Sequence, residues 1–515
     1  MKDNLKNEYN AAFDLIDRNL KNYAEKIAFV DDNTSITYKE LFINIQKVSH
    51  ILLDLGLKKG DKVILCAYDS IYYPICFLGA IWSGIIPICI NTMLPKKDIK
   101  YMIEDSESNA VITSPDLLNT FEIIKEEINE KFLIICDTHI NEKYLSIQNL
   151  LKTNKNKVIK PATTYENDVC FWLYSSGSTG SPKGTLHIHK NIISTANTYA
   201  REVLNISSSD ICFSAAKLFF AYGLGNALTF PMSVGATSIL ISSRPTPDLV
   251  ASVINNHNVT LFFGVPTLYA AILNSHINSV NFESLRLSIS AGEALPAHLC
   301  DKWKSLTNTN VLDGIGSTEM LHIFISNRID ELTPGASGRP VSGYEARLIS
   351  DTGDTILENN EIGELEIKGP SSAISYWNKP EKSKITFRGK WTKTGDKYIK
   401  DENGIYTYCG RADDMMKVSG QYVSPFEVEA ALQSHDSVLE AAVVSNRDKD
   451  DLIKPKAYIV LNNGYKADKG LELELTNYVK SKLTPFKYPR WYEFIKELPK
   501  TATGKIQRFK LRKDD

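Results

Sequence analysis

Apolar runs of strand length alternate along the chain with stretches whose apolar residues recur at helical spacing. Residues 62–66, 110–113, 132–136, 237–241 and 259–263 read as short buried strands, while 38–55 and 248–255 place apolar residues three and four apart. This alternation predicts an α/β architecture built mostly on parallel sheets. After about residue 340 the texture changes. Segments 346–350, 363–368 and 404–408 alternate apolar and polar positions around Gly and Asp turns such as 351–354, which predicts a compact β subdomain. The last hundred or so residues read as strand, helix 425–433, strand 438–444, strand 457–461, helix 471–483 and strand 491–495, a small α+β domain of its own. No repeat with a period of about 20–50 residues is visible.

One run has the length of a membrane span: residues 71–95 carry no charge. Pro74, Ser83-Gly84 and Pro87 interrupt it, and no Lys/Arg cluster flanks it. A helix, a turn and a short buried strand account for it better than a transmembrane helix.

Length and charge narrow the function classes. A chain of 515 residues predicts about two to four domains, each with room for a core. With 43% hydrophobic and 23% charged residues it lies in the globular range. Its 59 Lys+Arg against 61 Asp+Glu argue against a dedicated nucleic-acid binder. The balance is uneven along the chain, however: residues 480–513 hold 11 Lys+Arg against 2 Asp+Glu. The tail has no aromatic-interleaved reader motif, which argues against nucleic-acid binding there. The eight cysteines (Cys66, Cys76, Cys89, Cys136, Cys170, Cys212, Cys300, Cys409) show no zinc-ribbon or C-x-x-C spacing. The polar start lacks the apolar core of a secretory signal, and a reducing cytoplasm is the expected setting.

The most informative stretch is Tyr174-Ser-Ser-Gly-Ser-Thr-Gly-Ser-Pro-Lys-Gly184. Glycines let backbone amides converge on an anion, hydroxyls add donors and Lys183 adds charge, so this loop predicts phosphate binding. It is not a Walker A loop, because Ser181-Pro182 separate Gly180 from Lys183. Gly223-Leu-Gly225 and Gly314-Ile-Gly316 each lack the third glycine of a dinucleotide fingerprint.

The loop resembles the phosphate loop of the acyl-adenylate-forming superfamily: acyl-CoA synthetases, adenylation domains and luciferases. The other motifs of that superfamily follow in order: Ser290-Ala-Gly-Glu-Ala-Leu-Pro296, Asp313-Gly-Ile-Gly-Ser-Thr-Glu319, Trp391-Thr-Lys-Thr-Gly-Asp396, Gly410-Arg-Ala-Asp-Asp414 and Pro499-Lys-Thr-Ala-Thr-Gly-Lys505. With Thr37-Tyr-Lys-Glu-Leu41 the resemblance spans essentially the whole chain. Residues 217–226, 320–324 and 417–425 look most like benzoate-CoA ligases and related aryl-CoA ligases.

This resemblance implies a two-step reaction: a carboxylate attacks the α-phosphorus of ATP to give acyl-AMP and pyrophosphate, then the thiol of coenzyme A displaces AMP. It implies that Ser175, Ser176, Gly177, Ser178, Thr179 and Lys183 hold the β- and γ-phosphates, Thr318 meets the α-phosphate and Glu319 helps hold Mg²⁺. Ala291, Gly292, Glu293, Asp313, Gly314 and Ile315 correspond to adenine-side segments, and Asp396 and Arg411 to ribose contacts. Lys505 is expected to bridge the substrate carboxylate and the α-phosphate. Asp413 stands at the hinge position, dividing an adenylation body (1–412) from a mobile C-terminal domain (413–515). After adenylation the face carrying Lys417, Ser419 and Gly420 would enter, with Ser419 and Gly420 beside the CoA arm.

Ala221, Tyr222, Gly316, His322 and Ile323 correspond to an acid pocket with Lys417 nearby, and flat and small side chains there suit a planar aryl acid. Phe219 and Phe324 read as core. His187 and His189 lie two apart with no third ligand in view and read as structural. The expected partners are an aromatic acid, ATP and CoA, with no nucleic acid or membrane, the chain acting as a monomer or homodimer. A carrier protein's phosphopantetheine arm is the rival acceptor to CoA.

Overall fold

The computed structural model describes residues 7–128, 131–153, 159–175, 181–275, 281–418, 421–449, 452–500 and 506–512. Two large sheets carry the first part. One has eight strands, in the order Ser375–Tyr376, Lys183–Ile188, Val169–Ser175, Ile86–Cys89, Lys62–Cys66, Ala110–Thr113, Leu133–Cys136 and Leu145–Ser146. It is parallel from Val169–Ser175 onward and antiparallel at the edge formed by the first two strands. The other has nine, in the order Arg339–Pro340, Ile323–Ser326, Val311–Gly316, Leu287–Ser290, Leu261–Gly264, Ile211–Ser214, Thr237–Ile239, Ile27–Val30 and Ser35–Thr37. Its centre is parallel and both edges antiparallel. The strand runs read from the sequence are all present, 62–66, 110–113 and 363–368 with the same ends and the others with ends shifted by one to a few residues.

Local chemistry sets the helices. The helix Tyr38–Asp54 begins in a capping box: Glu40 N–H donates to Thr37 Oγ1 at 3.2 Å, and Thr37 N–H donates to Glu40 Oε2 at 2.9 Å. The uncharged run folds as expected, into the helix Tyr72–Trp82 and the strand Ile86–Cys89. Ten of that helix's 11 residues are buried, so its apolar surface is covered all round by protein. Gly79 lets it approach the helix Tyr38–Asp54, since a Cβ there would stand 2.7 Å from Val48 Cγ1. Among the described residues no helix is long and apolar enough to cross a membrane.

The β subdomain is an antiparallel sheet of Glu345–Ile349, Gly363–Lys368, Trp391–Lys400 and Phe387–Arg388, with Tyr406–Arg411 paired to Trp391–Lys400. Beyond it, the hairpin Met416–Val418/Gln421–Val423, the helices Pro425–Gln433 and Lys469–Lys482 and the sheet Val438–Arg447, Ile453–Leu461, Trp491–Phe494 enclose a core of their own, including Val423, Val428, Val443, Ile459 and Leu475.

Candidate active site

Parallel strands of an α/β sheet present their carboxyl ends to ligands. Leu287–Ser290 and Val311–Gly316 pair so that Ser290 stands beside Asp313, and the turns that follow them, Gly292-Glu293 and Ser317–Glu319, enter one cavity of about 790 Å³. The antiparallel pair Val169–Ser175 and Lys183–Ile188 of the eight-stranded sheet reaches the same cavity, with Ser175 and Lys183 as register partners. A third wall comes from the β subdomain, where cross-strand pairing sets Asp396 against Arg411 and Arg411 Nη1 donates to Asp396 Oδ1 at 3.1 Å. The end region closes the fourth side with Glu429, Lys500, Ile506 and Arg508.

Ser175, Lys183, Gly292, Glu293, Asp313, Gly314, Ile315, Gly316, Thr318, Glu319, Asp396 and Arg411 therefore converge on one space. Ala291 lies just beneath it, 3% exposed. Ser176, Gly177, Ser178, Thr179, Ser419, Gly420 and Lys505 lie outside the described residues. Lys500 and Ile506, which bracket the segment containing Lys505, both line the cavity, and Ile506 N–H donates to Glu293 Oε1 at 3.2 Å.

The Thr318–Glu319 turn is tied down from several directions. His187 is 0% exposed and stacks on Phe171. Asn191 Nδ2 donates to His187 Nδ1 at 3.1 Å, which leaves the proton on Nε2, where it is donated to the Thr318 carbonyl at 2.8 Å. Ala373 N–H donates to the Glu319 carbonyl at 2.7 Å. Tyr376 Oη donates to Glu319 Oε1 at 2.7 Å and lies 3.3 Å from Lys183 Nζ. Sequence reasoning missed Tyr376 and gave His187 no task in the site. Neither lies in a recognised motif, and each meets its partner across many intervening residues.

Burial sets the charge states. It holds His187 down at about 4 and His322 at about 3, so both are neutral rings at ordinary pH. It pushes the Asp313 carboxyl up to about 8, against the pull of the Leu295 N–H on Oδ2. Burial also lowers the Lys183 ammonium, opposed by the charge of Glu319.

Two parts of the expected site stand apart from this cavity. Of the residues read as the acid pocket, only Gly316 lines the cavity. His322 is enclosed by Tyr199, Tyr222 and Phe230, with ring centroids 4.4 to 5.5 Å away, and its Nε2 meets Asn226 Oδ1 at 3.0 Å. Ala221 begins the short helix leading to Tyr222, and Ile323 is 1% exposed. Packing also explains Gly316: a Cβ there would stand 2.6 Å from the His322 carbonyl oxygen. Lys417 is not near this cluster. Its hairpin lies against the Asp351 turn, where Lys417 Nζ is 3.4 Å from Asp351 Oδ2, while Tyr422 Oη and Lys397 Nζ also donate to that carboxylate. Phe219 and Phe324 are core, as expected. His189 accepts a hydrogen bond from Ala11 N–H at its Nδ1.

Asp413 sits between charged groups, its carboxylate 3.7 Å from Arg411 Nε and its carbonyl 3.3 Å from Arg512 Nη2. The donor chemistry fits Mg²⁺. Among the described residues no cluster of three or more His, Cys, Asp or Glu forms a metal cage. Glu319 and Thr318 carry hard oxygens and line the cavity together with Lys183, a donor set that fits an ion held by one carboxylate and by substrate phosphates.

The fold and this cavity are those of an adenylate-forming enzyme. The profile of the AMP-binding enzyme family matches residues 16–377, and that of the AMP-binding enzyme C-terminal domain matches 427–505. The chain belongs to this family. It is 50% identical to a benzoate–CoA ligase of Thauera aromatica over 98% of this chain and 96% of that protein. It is 45% identical to a 4-hydroxybenzoate–CoA/benzoate–CoA ligase of Rhodopseudomonas palustris over 98% and 94%. Among solved structures, a benzoate CoA ligase from Burkholderia xenovorans superposes with a TM-score of 0.92 at 44% identity, covering 98% of this chain and all of that one.

Proposed function

We propose that the chain is an AMP-forming aryl-acid:CoA ligase acting on benzoate or a close relative. The observation that carries this reading is the convergence of Ser175, Lys183, Thr318, Glu319, Asp396 and Arg411 on one cavity, in a chain with full-length similarity to benzoate–CoA ligases.

In the first step a carboxylate oxygen bonds to the α-phosphorus of ATP, the α–β phosphoanhydride breaks and pyrophosphate leaves. In the second, the CoA sulfur bonds to the acyl carbon, the acyl–oxygen bond breaks, AMP leaves and the thiol proton passes to solvent. Two anions must meet in the first step, so catalysis is mainly positioning and charge stabilisation. Lys183 and the hydroxyls of the loop hold the outer phosphates, and the Thr318 hydroxyl meets the α-phosphate. Asp396 accepts from the ribose hydroxyls while Arg411 fixes its orientation. The protonated Asp313 carboxyl sits on the adenine side of the cavity as a neutral hydrogen-bonding group. Glu319 would hold Mg²⁺, which would supply charge neutralisation on the phosphates. Lys505, flanked by the cavity-lining Lys500 and Ile506, bridges the two reacting anions.

The second step uses a swing of residues 413–515 about Asp413. This releases Lys417 from Asp351 and brings Ser419 and Gly420 to the CoA arm. The aryl ring sits beyond Gly316, against Tyr222 and His322, once those side chains part. Eight buried, unpaired cysteines fit a reducing cytoplasmic setting. The reading is tested by a pyrophosphate-release screen over aryl and short acyl acids. Benzoate-type acids should turn over fastest, and a preference for alkyl acids would reject the aryl assignment.

A further inference from the structure

The two strands that deliver Ser175 and Lys183 to the cavity meet at one carboxylate outside it. Asp105, at the end of the helix Lys96–Ser106, has a side chain 9% exposed. Tyr174, the residue before Ser175, donates its phenolic proton to Asp105 Oδ2 at 2.8 Å. Tyr101 Oη stands 3.2 Å from Asp105 Oδ1 and 3.3 Å from the carbonyl of Pro182, the residue before Lys183, sharing one proton between them. The indole N–H of Trp377 donates to the Asp105 carbonyl at 2.8 Å, while the Trp377 backbone N–H donates to the Gly184 carbonyl at 2.8 Å. Lys379 Nζ, 3.7 Å from Oδ1, supplies the counter-charge.

We propose that Asp105 is a positioning residue for the polyphosphate end of ATP, acting through Tyr174 and Tyr101 to hold Ser175 and Lys183 at a fixed separation. The ladder between these strands reaches its last pair at Ser175 and Lys183. Asp105 takes the Tyr174 proton and orients Tyr101, whose proton it shares with the Pro182 carbonyl, so the residue before each end is tied to the same helix and less freedom is lost when the phosphates bind. The bond from Tyr174 to the shielded carboxylate is charge-assisted, and the shared Tyr101 proton adds a weaker second tie.

The inference rests on the reading that Lys183 and its neighbours hold the β- and γ-phosphates, and the half-reactions separate the two. The thioester step, started from supplied benzoyl-AMP and CoA, involves no outer phosphates. The adenylation step, followed by pyrophosphate exchange, does. Asp105→Ala should raise the KM for ATP and for pyrophosphate about tenfold, the size of one lost charge-assisted hydrogen bond, and leave the thioester step within about twofold. Asp105→Asn, which keeps an acceptor oxygen, should lie between. The double variant Tyr101→Phe/Tyr174→Phe leaves the carboxylate in place and removes both ties, and should reproduce the KM effect even where Asp105→Ala folds poorly. Equal losses in both half-reactions, or an unchanged KM in the double variant, would overturn the proposal. Lys183→Ala measured alongside tests the underlying reading: unchanged KM values for ATP and pyrophosphate there would overturn that reading and this one with it.

Discussion

Tyr376 donates its phenolic proton to Glu319 Oε1 at 2.7 Å while its oxygen lies 3.3 Å from Lys183 Nζ, so one side chain joins the carboxylate read as the Mg²⁺ holder to the lysine read as holding phosphate. Tyr376→Phe removes that link and keeps the ring under Lys183. A hydrogen bond to a charged group is worth about 1.5–3 kcal/mol. Pyrophosphate exchange should therefore slow by roughly tenfold or more, with the Mg²⁺ concentration for half-maximal rate rising in parallel. An unchanged Mg²⁺ dependence would remove Tyr376 from the site.

His187 gives the Thr318 carbonyl its buried donor. His187→Leu leaves that oxygen without it, at a cost of about 1–3 kcal/mol. The variant should melt earlier and lose adenylation rate, and His187→Gln, which restores an N–H donor, should recover part of both. If Gln and Leu behave alike in calorimetry and in pyrophosphate exchange, the hydrogen bond is not what matters.

Asp313 carries a pH signature. Its ordinary carboxyl value is 3.8 and burial raises it to about 8, so between these values the folded state keeps a proton the unfolded chain has lost. The stability this group contributes is full below 3.8 and is lost as pH rises through about 8. Asn cannot ionise. Urea unfolding should show the wild-type advantage over Asp313→Asn shrinking by up to about 1.4 kcal/mol per pH unit as pH rises towards 8. A flat difference would mean the carboxyl is already ionised in the folded protein.

Asp351 holds Lys417 in the orientation seen here, but both side chains are about half exposed. Exposed pairs contribute about 0–1 kcal/mol. Asp351→Asn should therefore speed thioester formation from supplied benzoyl-AMP by no more than about fivefold, and slow pyrophosphate exchange slightly. A larger loss of thioester formation would show that Asp351 serves the second step instead of restraining it.

Lys505 and Asp413 are the residues proposed to separate the two steps. Lys505→Ala should lose adenylation by orders of magnitude while thioester formation from supplied aryl-AMP survives. Asp413→Pro should show the reverse, sparing pyrophosphate exchange and blocking thioester synthesis. Equal loss of both half-reactions in the Lys505 variant, or survival of both in the Asp413 variant, would contradict the assigned roles.

What could be read from the sequence follows from how far each interaction reaches along the chain. The strands 62–66 and 110–113 and the helix Pro425–Gln433 announce themselves through local periodicity and caps. The cavity-lining motifs are legible because a turn that approaches a phosphate needs Gly, Ser and Thr within a few residues. The supports of those turns are not local. His187 reaches Thr318 across 131 positions, Tyr376 reaches Glu319 across 57, and Tyr174 reaches Asp105 across 69. Nothing near a buried histidine or tyrosine in the chain marks which carbonyl or carboxylate it will meet, because sheet order decides that. The seating of Lys417 on Asp351, 66 positions away, depends in addition on how the end region lies against the body.

The central claim is that one cavity joins an aryl acid to CoA by way of an adenylate. Purified protein incubated with ATP, Mg²⁺, benzoate and CoA should yield benzoyl-CoA, AMP and pyrophosphate in equal amounts, with adenylate accumulating only when CoA is left out. Benzoyl-AMP that forms while CoA remains unconsumed would contradict the ligase assignment and point to a carrier-protein acceptor. Release of ADP and phosphate would contradict the adenylate itself.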